Sequence, residues 1–341
     1  MQQPRVLVIG GNPGRWNARE RVQLAQHATG IEAWVHATQG AYIDHTSVTL
    51  RDVHQFDIVI CNTNRISSSS AVEKYTRLAE GRRDSVLWVS LLEGDMRHYM
   101  RPSPFVRRAL DASTLVNCIN HNATESIQQT TSARVAYIGI PYPVSSVGAL
   151  ATSVSNRKRR VFLCGFLPQR WNDVAAAQQL GIPMDGYHVR MHRKIGNAWS
   201  NLQQFGTIHD SSAPLRQVEA SFRAENLHVR PETTTKEYLT AMGANVLWMN
   251  LDERYTWGRY VLDAAALGVP IVTTRSTGHG QLLFPRTTVE TAFSQRDAVA
   301  LANALLHDAD LYANVAEHAR EHIWQYDAPV IVRSLYDHLG L

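Results

Sequence analysis

The stretch YTWGRYVLDAAALGVPIVTT, residues 255–274, combines the pattern of a buried helix with residues that could bind phosphate. Thr256 is a suitable cap for a helix from about Trp257 onward, and Gly258 in its first turn leaves the backbone N–H groups accessible. These groups and the helix dipole favour a diphosphate at this end. Asp263 follows among apolar neighbours, where a carboxylate needs a partner. The sequence allows two kinds of partner for this carboxylate: a vicinal diol such as that of a ribose, or a nearby Arg or Lys.

A glycine loop, GGNPG at residues 10–14, follows the apolar run RVLVIGG. A lone loop of this kind after a first strand indicates a Rossmann-like turn and is weak evidence for a ligand. It is not GxGxxG, and no suitably placed acid follows the second predicted strand. The sequence therefore argues against a dinucleotide dehydrogenase.

Strands and helices alternate along the chain. Short apolar runs such as RVLVIGG (5–11), IEAWVHAT (31–38) and FDIVICNT (56–63) predict strands in the first half, and the pattern restarts with VFLCGFLP (161–168). Continuous apolar runs are typical of strands buried on both faces of a parallel sheet. Strands that alternate with helices predict right-handed βαβ units. We expect an α/β fold with two Rossmann-like domains and a ligand cleft between their parallel sheets.

The domain boundary is predicted at residues 144–158, which are small, polar and aperiodic. We expect an N-terminal domain over residues 1–150, a C-terminal domain over 159–325 and a last helix over 326–341. The basic run RKRR (157–160) overlaps the end of this linker. It has two interpretations, a solvated edge before a strand or a contact with a phosphate backbone.

Composition is that of a soluble globular protein, with 44% apolar and 19% charged residues. No apolar run approaches the roughly 20 residues that span a bilayer, and RVLVIGG reads as a strand rather than a leader. Cys61, Cys118 and Cys164 each lie in an apolar run without a CxxC motif, which predicts buried structural thiols in a reducing cytoplasm. The net charge of +4 with 15 histidines is compatible with a polyanionic partner but does not demand one.

The 255–274 stretch resembles the signature segment of retaining glycosyltransferases of the GT-B fold, the glycogen-synthase-like and lipopolysaccharide-type enzymes. Their pattern is Glu-x-Phe-Gly-x-x-x-x-Glu-Ala-x-Ala-x-Gly-x-Pro-Val. Gly258, Ala264, Gly268 and Pro270 match it, and Asp263 replaces the second Glu. The resemblance extends with fewer matches over most of the chain, including a final helix that in this family crosses back to the N-terminal domain.

The resemblance implies a nucleotide-diphosphate sugar, most often a UDP-sugar, as co-substrate, with no tightly bound cofactor and no metal. Asp263 would hold the ribose, and Arg170 in CGFLPQRWNDV would neutralise the diphosphate. Two positions depart from the family: Tyr255 stands where its first Glu contacts the sugar, and Phe166 stands where it has an Arg. The implied donor-binding set is Asp263, Arg170, Gly258, Trp257, Tyr255 and His279.

The acceptor side of the predicted site lies in the N-terminal domain. GGNPG resembles the family's loop that faces acceptor and diphosphate, formed here by Gly10, Gly11, Asn12 and Gly14. The segment LLEGDMRH follows a predicted strand and offers a carboxylate or His for an acceptor hydroxyl. The catalytic candidates are Glu93, Asp95 and His98, with ordinary loop charge as the alternative. Asp252 and Glu253 read as a solvated turn rather than a metal site.

We therefore predict a metal-independent glycosyltransferase that acts on a hydroxyl acceptor. The acceptor stays open between a glycan, a lipid-linked sugar, a small molecule and a hydroxylated DNA base. The DNA hypothesis draws on the positive net charge of the chain, on RKRR and on HVRMHRK at residues 188–194. A non-catalytic nucleotide-sugar binder is the alternative class, and a sugar epimerase or phosphorylase is a third.

Overall fold

The computed structural model describes residues 3–11, 30–63, 69–164, 171–187, 226–230 and 234–341. The chain divides into two compact units. Unit 1 comprises Met1–Ser146, Arg254–Gly258 and Ile323–Leu341, and unit 2 comprises Val147–Glu253 and Arg259–His322. The segment Arg254–Gly258, which opens the signature stretch, thus belongs to a different unit from the helix that follows it.

Unit 1 contains a six-stranded sheet in the order β2-β1-β3-β4-β5-β6, with every neighbouring pair parallel. Its strands β1 to β6 are Val6–Gly10, Ala41–Asp44, Ile58–Asn62, Leu87–Leu91, Leu115–Cys118 and Arg134–Tyr137. β1 and β3 are buried along their whole length, as their continuous apolar runs predicted.

Helices cover this sheet, and one of them begins with residues that favour a helix N-terminus. Ser103 caps one of them through its hydroxyl and Pro104 occupies the first position, where its missing N–H costs nothing. The described helices of unit 1 are α1 Gly30–Thr38, α2 Leu50–Val53, α3 Ser69–Glu80, α4 Arg97–Met100, α5 Pro104–Asp111, α6 Thr124–Gln128 and, at the C-terminus, α14 Ala328–Leu339. Helix α7, Val144–Gly148, spans the boundary between the units.

Unit 2 contains a second parallel sheet of six strands in the order β12-β11-β10-β7-β8-β9. Strands β7 to β12 are Lys158–Leu163, Met184–Tyr187, Leu227–Arg230, Asn245–Asn250, Ile271–Thr274 and Thr288–Val289. Helices α8 to α13 are Trp171–Gln178, Thr235–Gly243, Arg259–Leu267, Gly280–Leu283, Gln295–His307 and Ala309–His322. The predicted α/β class with two parallel sheets is confirmed.

The interpretation of IEAWVHAT (31–38) as a strand is wrong, because these residues form helix α1. The apolar residues Ile31 and Trp34 and the buried Thr38 recur at helical spacing on one face. The second strand is instead Ala41–Asp44, so an acid does end it. The carboxylate of Asp44 already accepts the Thr46 amide and hydroxyl at 2.9 and 2.6 Å, which makes it part of a local turn.

The predicted linker is more structured than its composition suggested. Besides α7 it contains a short 3-10 helix, Val154–Asn156. The next residue, Arg157, caps the C-terminus of α10. The Arg157 guanidinium donates to the carbonyl oxygens of Leu267 and Gly268 at 3.0 and 2.9 Å and to the Tyr312 hydroxyl at 2.7 Å. A cation at this end complements the helix dipole. The first Arg of RKRR therefore has an internal structural role.

Replacement of Arg157 should destabilise unit 2. Arg157→Met removes four hydrogen bonds, including one to the Thr152 carbonyl at 3.2 Å, and leaves two helix-end carbonyls without their donor. We therefore expect a loss of about 2–3 kcal/mol in the free energy of unfolding. Urea unfolding measures this change. Arg159→Met is the matched control, since Arg159 is exposed and its contacts with the Leu306 carbonyl and the His307 ring are both long, at 3.4 Å. Equal effects of the two substitutions would contradict the capping role.

Candidate functional site

The carboxyl edge of the unit 1 sheet brings polar residues together near the point where the strand order reverses. In open α/β sheets ligands bind at such a point, here between β1 and β3. Gly10 ends β1, Asn62 ends β3, and Glu93 follows β4. A side chain at Gly10 would overlap Ile31 of α1, so this glycine serves close packing of strand and helix.

Glu93 is held by neutral donors. Its carboxylate accepts the backbone N–H of Gly30, the first residue of α1, at 3.3 Å and the side-chain amide of Asn62. Both partners are uncharged, so the carboxylate keeps its net negative charge and has lone pairs for a further donor. Glu93 is half-buried at the edge of the sheet.

Asp95 is held by a cation instead. Arg97 donates to its two oxygens through Nε at 3.1 and 2.9 Å and through a terminal nitrogen at 2.6 Å. The Arg97 backbone N–H also reaches Asp95, at 3.2 Å. This two-pronged contact pairs the charge of the carboxylate with that of the guanidinium. His98, on the following turn, is exposed.

A cavity of about 470 Å³ in unit 1 is lined by all three catalytic candidates, Glu93, Asp95 and His98. Its described lining consists of Thr63, Val72, Glu93, Asp95, His98, Tyr99, Ser103, Val106, Ala109 and Leu110. The Thr63 hydroxyl donates to the Leu91 carbonyl at 2.9 Å and lies 2.9 Å from the Tyr99 hydroxyl, which therefore donates to it. The sequence analysis missed Thr63 and Tyr99. For Thr63 the available signal was a polar residue at the end of the apolar run FDIVICNT, directly after β3.

Tyr99 should make the protein sensitive to alkaline pH. Burial, reinforced by the Glu93 carboxylate, raises the pKa of Tyr99 to about 12, and burial raises the pKa of Tyr326 to the same value. Above pH 10 the unfolded chain loses these protons while the folded chain keeps them, so the free energy of unfolding falls between pH 10 and 12, by about 2–3 kcal/mol for each tyrosine. Urea unfolding at pH 9 and 11 measures the slope. Tyr99→Phe should reduce it, and an unchanged slope would contradict the assignment.

The segment Arg254–Gly258 is anchored on unit 1. The Tyr255 carbonyl accepts the Met96 N–H at 2.8 Å, and the Thr256 carbonyl accepts the Asn120 side-chain amide at 2.7 Å. Trp257 is 7% exposed and meets Tyr142 edge-on, with the ring centres 6.2 Å apart. Tyr255 is thus tied through its backbone to the loop of Glu93 and Asp95.

The predicted helix start is wrong by two residues. Helix α10 runs from Arg259 to Leu267, so Thr256 does not cap it and Gly258 lies outside its first turn. Gly258 has a φ of +67°, a left-handed conformation that side chains disfavour. Glycine is therefore required at this point by the backbone where the chain passes from unit 1 to unit 2.

Asp263 is 1% exposed in the middle of α10, surrounded by buried apolar residues of the same helix. Burial and, to a smaller degree, the neighbouring Tyr260, Cys164 and Asp263 hold the pKa of Tyr238 well above its usual value. Cys164 directly follows β7. The strand order of unit 2 reverses between β7 and its neighbour β10. The carboxylate of Asp263 is therefore buried in α10 and close enough to Tyr238 to affect the pKa of that tyrosine.

Polar residues also cluster after β10 and β11. His279 is 1% exposed and directly precedes the short helix α11. The prediction of a solvated turn at Asp252 is wrong, because this residue is 4% exposed. Its carbonyl accepts the hydroxyls of Thr274 and Ser276, which tie the ends of the two strands together.

Several predicted site residues lie outside the described residues. They are Asn12 and Gly14 of the glycine loop, Arg170 and Phe166 of the strand–loop segment, and the basic stretch 188–194. Gly10 and Gly11 are described and buried. Within the described ranges, no group of three or more His, Cys, Asp or Glu side chains could hold a metal ion.

The three cysteines are buried, as predicted. Burial raises the pKa of Cys61 far above its ordinary value and that of Cys118 to about 11. Both thiols stay protonated at neutral pH, which does not suit a nucleophile.

A family model described as "Glycosyl transferase-like" matches residues 185–328. This range contains α10 and Asp263. No curated protein matches the chain. In the part of the chain that the structure describes, no helix is both long and apolar enough to cross a membrane.

Solved structures share the fold at low sequence identity. An alpha-glucosyltransferase in complex with UDP and a 13-mer DNA containing a central A:G mismatch superimposes with a TM-score of 0.61 at 12% identity, covering 100% of both chains. The N-terminal domain of Candida albicans trehalose-6-phosphate phosphatase gives 0.63 at 8% identity, covering 100% of this chain and 97% of its own. A mutant of S. aureus TarM, in complex with Fondaparinux, alpha-GlcNAc-glycerol and UDP, gives 0.58 at 11% identity over 83% of this chain and 55% of its own.

Proposed function

We propose that this chain, identified by its family match and its fold as a GT-B glycosyltransferase, moves a sugar from a UDP-sugar to a hydroxyl-bearing acceptor. The predictions of family, fold and enzyme class are confirmed; the donor, the acceptor and the site residues are proposals. The observation that carries the proposal is the buried Asp263 in the middle of α10, inside the matched range.

The donor is proposed to bind through unit 2. Asp263 would accept two hydrogen bonds from the ribose diol. UDP as the nucleotide is supported by the similar alpha-glucosyltransferase and TarM structures, both of which contain it. Arg170 remains the proposed cation for the diphosphate.

The acceptor hydroxyl is proposed to enter the unit 1 cavity and to donate to Glu93. In the transfer step the bond between the anomeric carbon and the diphosphate oxygen breaks, and a bond to the acceptor oxygen forms. The acceptor proton passes to Glu93 or to the leaving diphosphate. Glu93 is preferred over Asp95 because its partners are neutral, whereas Arg97 neutralises Asp95.

Nucleotide binding tests this proposal first. Melting temperatures are measured with UDP, GDP, ADP and CDP and with their glucose and N-acetylglucosamine derivatives. Stabilisation by UDP and its sugars above the others supports the assignment, since a ligand stabilises the state that binds it. Release of UDP in the presence of an acceptor then separates a transferase from a non-catalytic binder. Preference for another nucleotide would contradict the donor, and no stabilisation at all would contradict the site.

A DNA-modifying glycosyltransferase is the second candidate. It is supported by the fold match over both full chains to an alpha-glucosyltransferase that was solved with DNA, and by the net charge of +4. Duplex binding through phosphate contacts should weaken steeply between about 50 and 200 mM salt, because each contact releases counterions. Absence of duplex binding, or binding that does not respond to salt, would remove this candidate.

A further inference from the structure

Asn62 contacts Glu93 from behind the cavity wall. It ends β3, pairs in register with Leu91 of β4 and is 4% exposed. Its side-chain amide donates to Oε2 of Glu93. The next residue, Thr63, belongs to the described lining of the cavity, and Asn62 does not. A molecule in the cavity would therefore meet Glu93, and Asn62 would act on it only through this carboxylate.

Gly30 supplies a second contact to the same carboxylate. Its backbone N–H, at the first residue of α1, donates to Oε1 of Glu93 at 3.3 Å. A Cβ atom at this position would lie 3.2 Å from Oε2 and 3.3 Å from Cδ of Glu93, and 3.2 Å from Cδ1 of Ile140. Contacts this close would push the carboxylate or its neighbour by a few tenths of an ångström. The missing side chain of Gly30 thus leaves room for the observed orientation of Glu93.

The main chain on both sides of Glu93 is also held. The backbone N–H of Leu92 donates to the Asn117 carbonyl at 3.0 Å, and that of Met96 donates to the Tyr255 carbonyl at 2.8 Å. The freedom that remains to Glu93 lies in its side-chain torsions. Donors on both carboxylate oxygens restrict these torsions.

We propose that Asn62 is a positioning residue for transfer, which together with the N–H of Gly30 fixes the Glu93 carboxylate at the cavity wall. This role rests on the proposed function, in which Glu93 receives the proton of the acceptor hydroxyl. A proton acceptor must lie within hydrogen-bond reach of the group that it deprotonates, and a displacement of about 1 Å can lower a rate about 100-fold. Two fixed donors prevent such a displacement before the acceptor arrives.

The competing role for these contacts is purely structural. A carboxylate at a helix N-terminus satisfies a free N–H group and complements the helix dipole, so the same contacts would serve only to hold α1. Gly30→Ala separates the two roles, because alanine favours a helix more than glycine does. Positioning predicts that transfer falls while the melting temperature does not. A purely structural role predicts that transfer by the folded protein is unchanged.

The kinetic experiment uses UDP-glucose as donor, with maltose and a duplex oligonucleotide that contains 5-hydroxymethylcytosine as acceptors. Release of UDP gives kcat, and calorimetry gives the Kd of UDP. We expect Asn62→Ala to lower kcat about 10- to 100-fold and Gly30→Ala about three- to tenfold, with the Kd of UDP within about twofold of wild type. In a Glu93→Gln background, Asn62→Ala should have no further effect, because its target is already lost.

Asn245→Ala is the matched control. Asn245 is a buried amide of unit 2, 1% exposed, that donates to the Ala241 carbonyl at 2.8 Å. Its replacement should lower the melting temperature and leave kcat within about twofold of wild type. Wild-type kcat in Asn62→Ala contradicts the positioning role. An equal loss from Asn62→Ala with and without Glu93→Gln contradicts it as well.

Crystal structures of Asn62→Ala and Gly30→Ala test the position of Glu93 without any activity. The carboxylate should move, or take up more than one orientation, in both variants. A carboxylate that stays in place in both would overturn the positioning role. If the wild-type protein transfers from no donor, the proposed function fails, and these structures still decide whether Asn62 and Gly30 position Glu93.

Discussion

Glu93→Gln is expected to lower acceptor-dependent transfer by about 100-fold or more, while UDP affinity stays within about twofold. The substitution removes the negative charge that the acceptor hydroxyl would meet, and it changes little in volume. One hydrogen bond at the start of α1 is also weakened, because an amide cannot accept on both atoms as the carboxylate does from Gly30 and Asn62. The melting temperature must therefore be measured beside the rate.

Two further variants make this experiment decisive. Glu73→Gln is the silent control, since Glu73 is an exposed carboxylate that pairs with Arg77 on the surface of α3. Asp95→Asn is the competing assignment and should reduce transfer less than Glu93→Gln does. If Asp95→Asn abolishes transfer and Glu93→Gln leaves it intact, Asp95 is the proton acceptor and the neutralising role assigned to Arg97 is wrong.

Asp263→Asn is expected to weaken UDP binding by about 1–3 kcal/mol, a factor of roughly 5 to 150 in Kd. A carboxylate accepts two hydrogen bonds from a vicinal diol, whereas an amide offers one acceptor and two donors. Titration calorimetry with UDP measures the change. Loss of the ribose contact should also appear with UDP-sugars, because they contain the same diol.

The alternative role of Asp263 predicts a different pattern. If the carboxylate serves only an internal ion pair or hydrogen bond, the substitution lowers the free energy of unfolding and leaves UDP affinity unchanged. Asp310→Asn provides a matched surface control in unit 2, because Asp310 is exposed near the start of α13. Measuring both stability and affinity for both variants distinguishes the two roles.

Local pattern accounts for most of the elements. FDIVICNT and VPIVTT became β3 and β11 because a continuous apolar run suits a strand covered on both faces. The strand prediction for IEAWVHAT was wrong because a short run rich in apolar residues is compatible with the helical and with the strand periodicity. Its contacts on the sheet selected the helix. The sequence patterns could not show this choice, since it depends on residues distant along the chain.

Part of the candidate site could likewise be predicted from the sequence, and part depended on the fold. Asp263 could be singled out from the sequence, because a lone carboxylate in an apolar helix is visible in the order of residues. Glu93 and Asp95 looked equivalent there, and only the partners brought by the fold, Gly30 and Asn62 for one and Arg97 for the other, separate them. Tyr255 and Trp257 likewise belong to unit 1 because Met96, Asn120 and Tyr142 hold them there.

The sequence by itself determined the α/β class, the two parallel sheets and the resemblance to GT-B glycosyltransferases, since these follow from periodicity and from one local segment. The tertiary structure decided which carboxylate is neutralised, where the cavity lies and why Gly258 is a glycine. The physical reason is that charge compensation, burial and backbone turns depend on which side chains meet, and packing over long sequence separations sets those meetings.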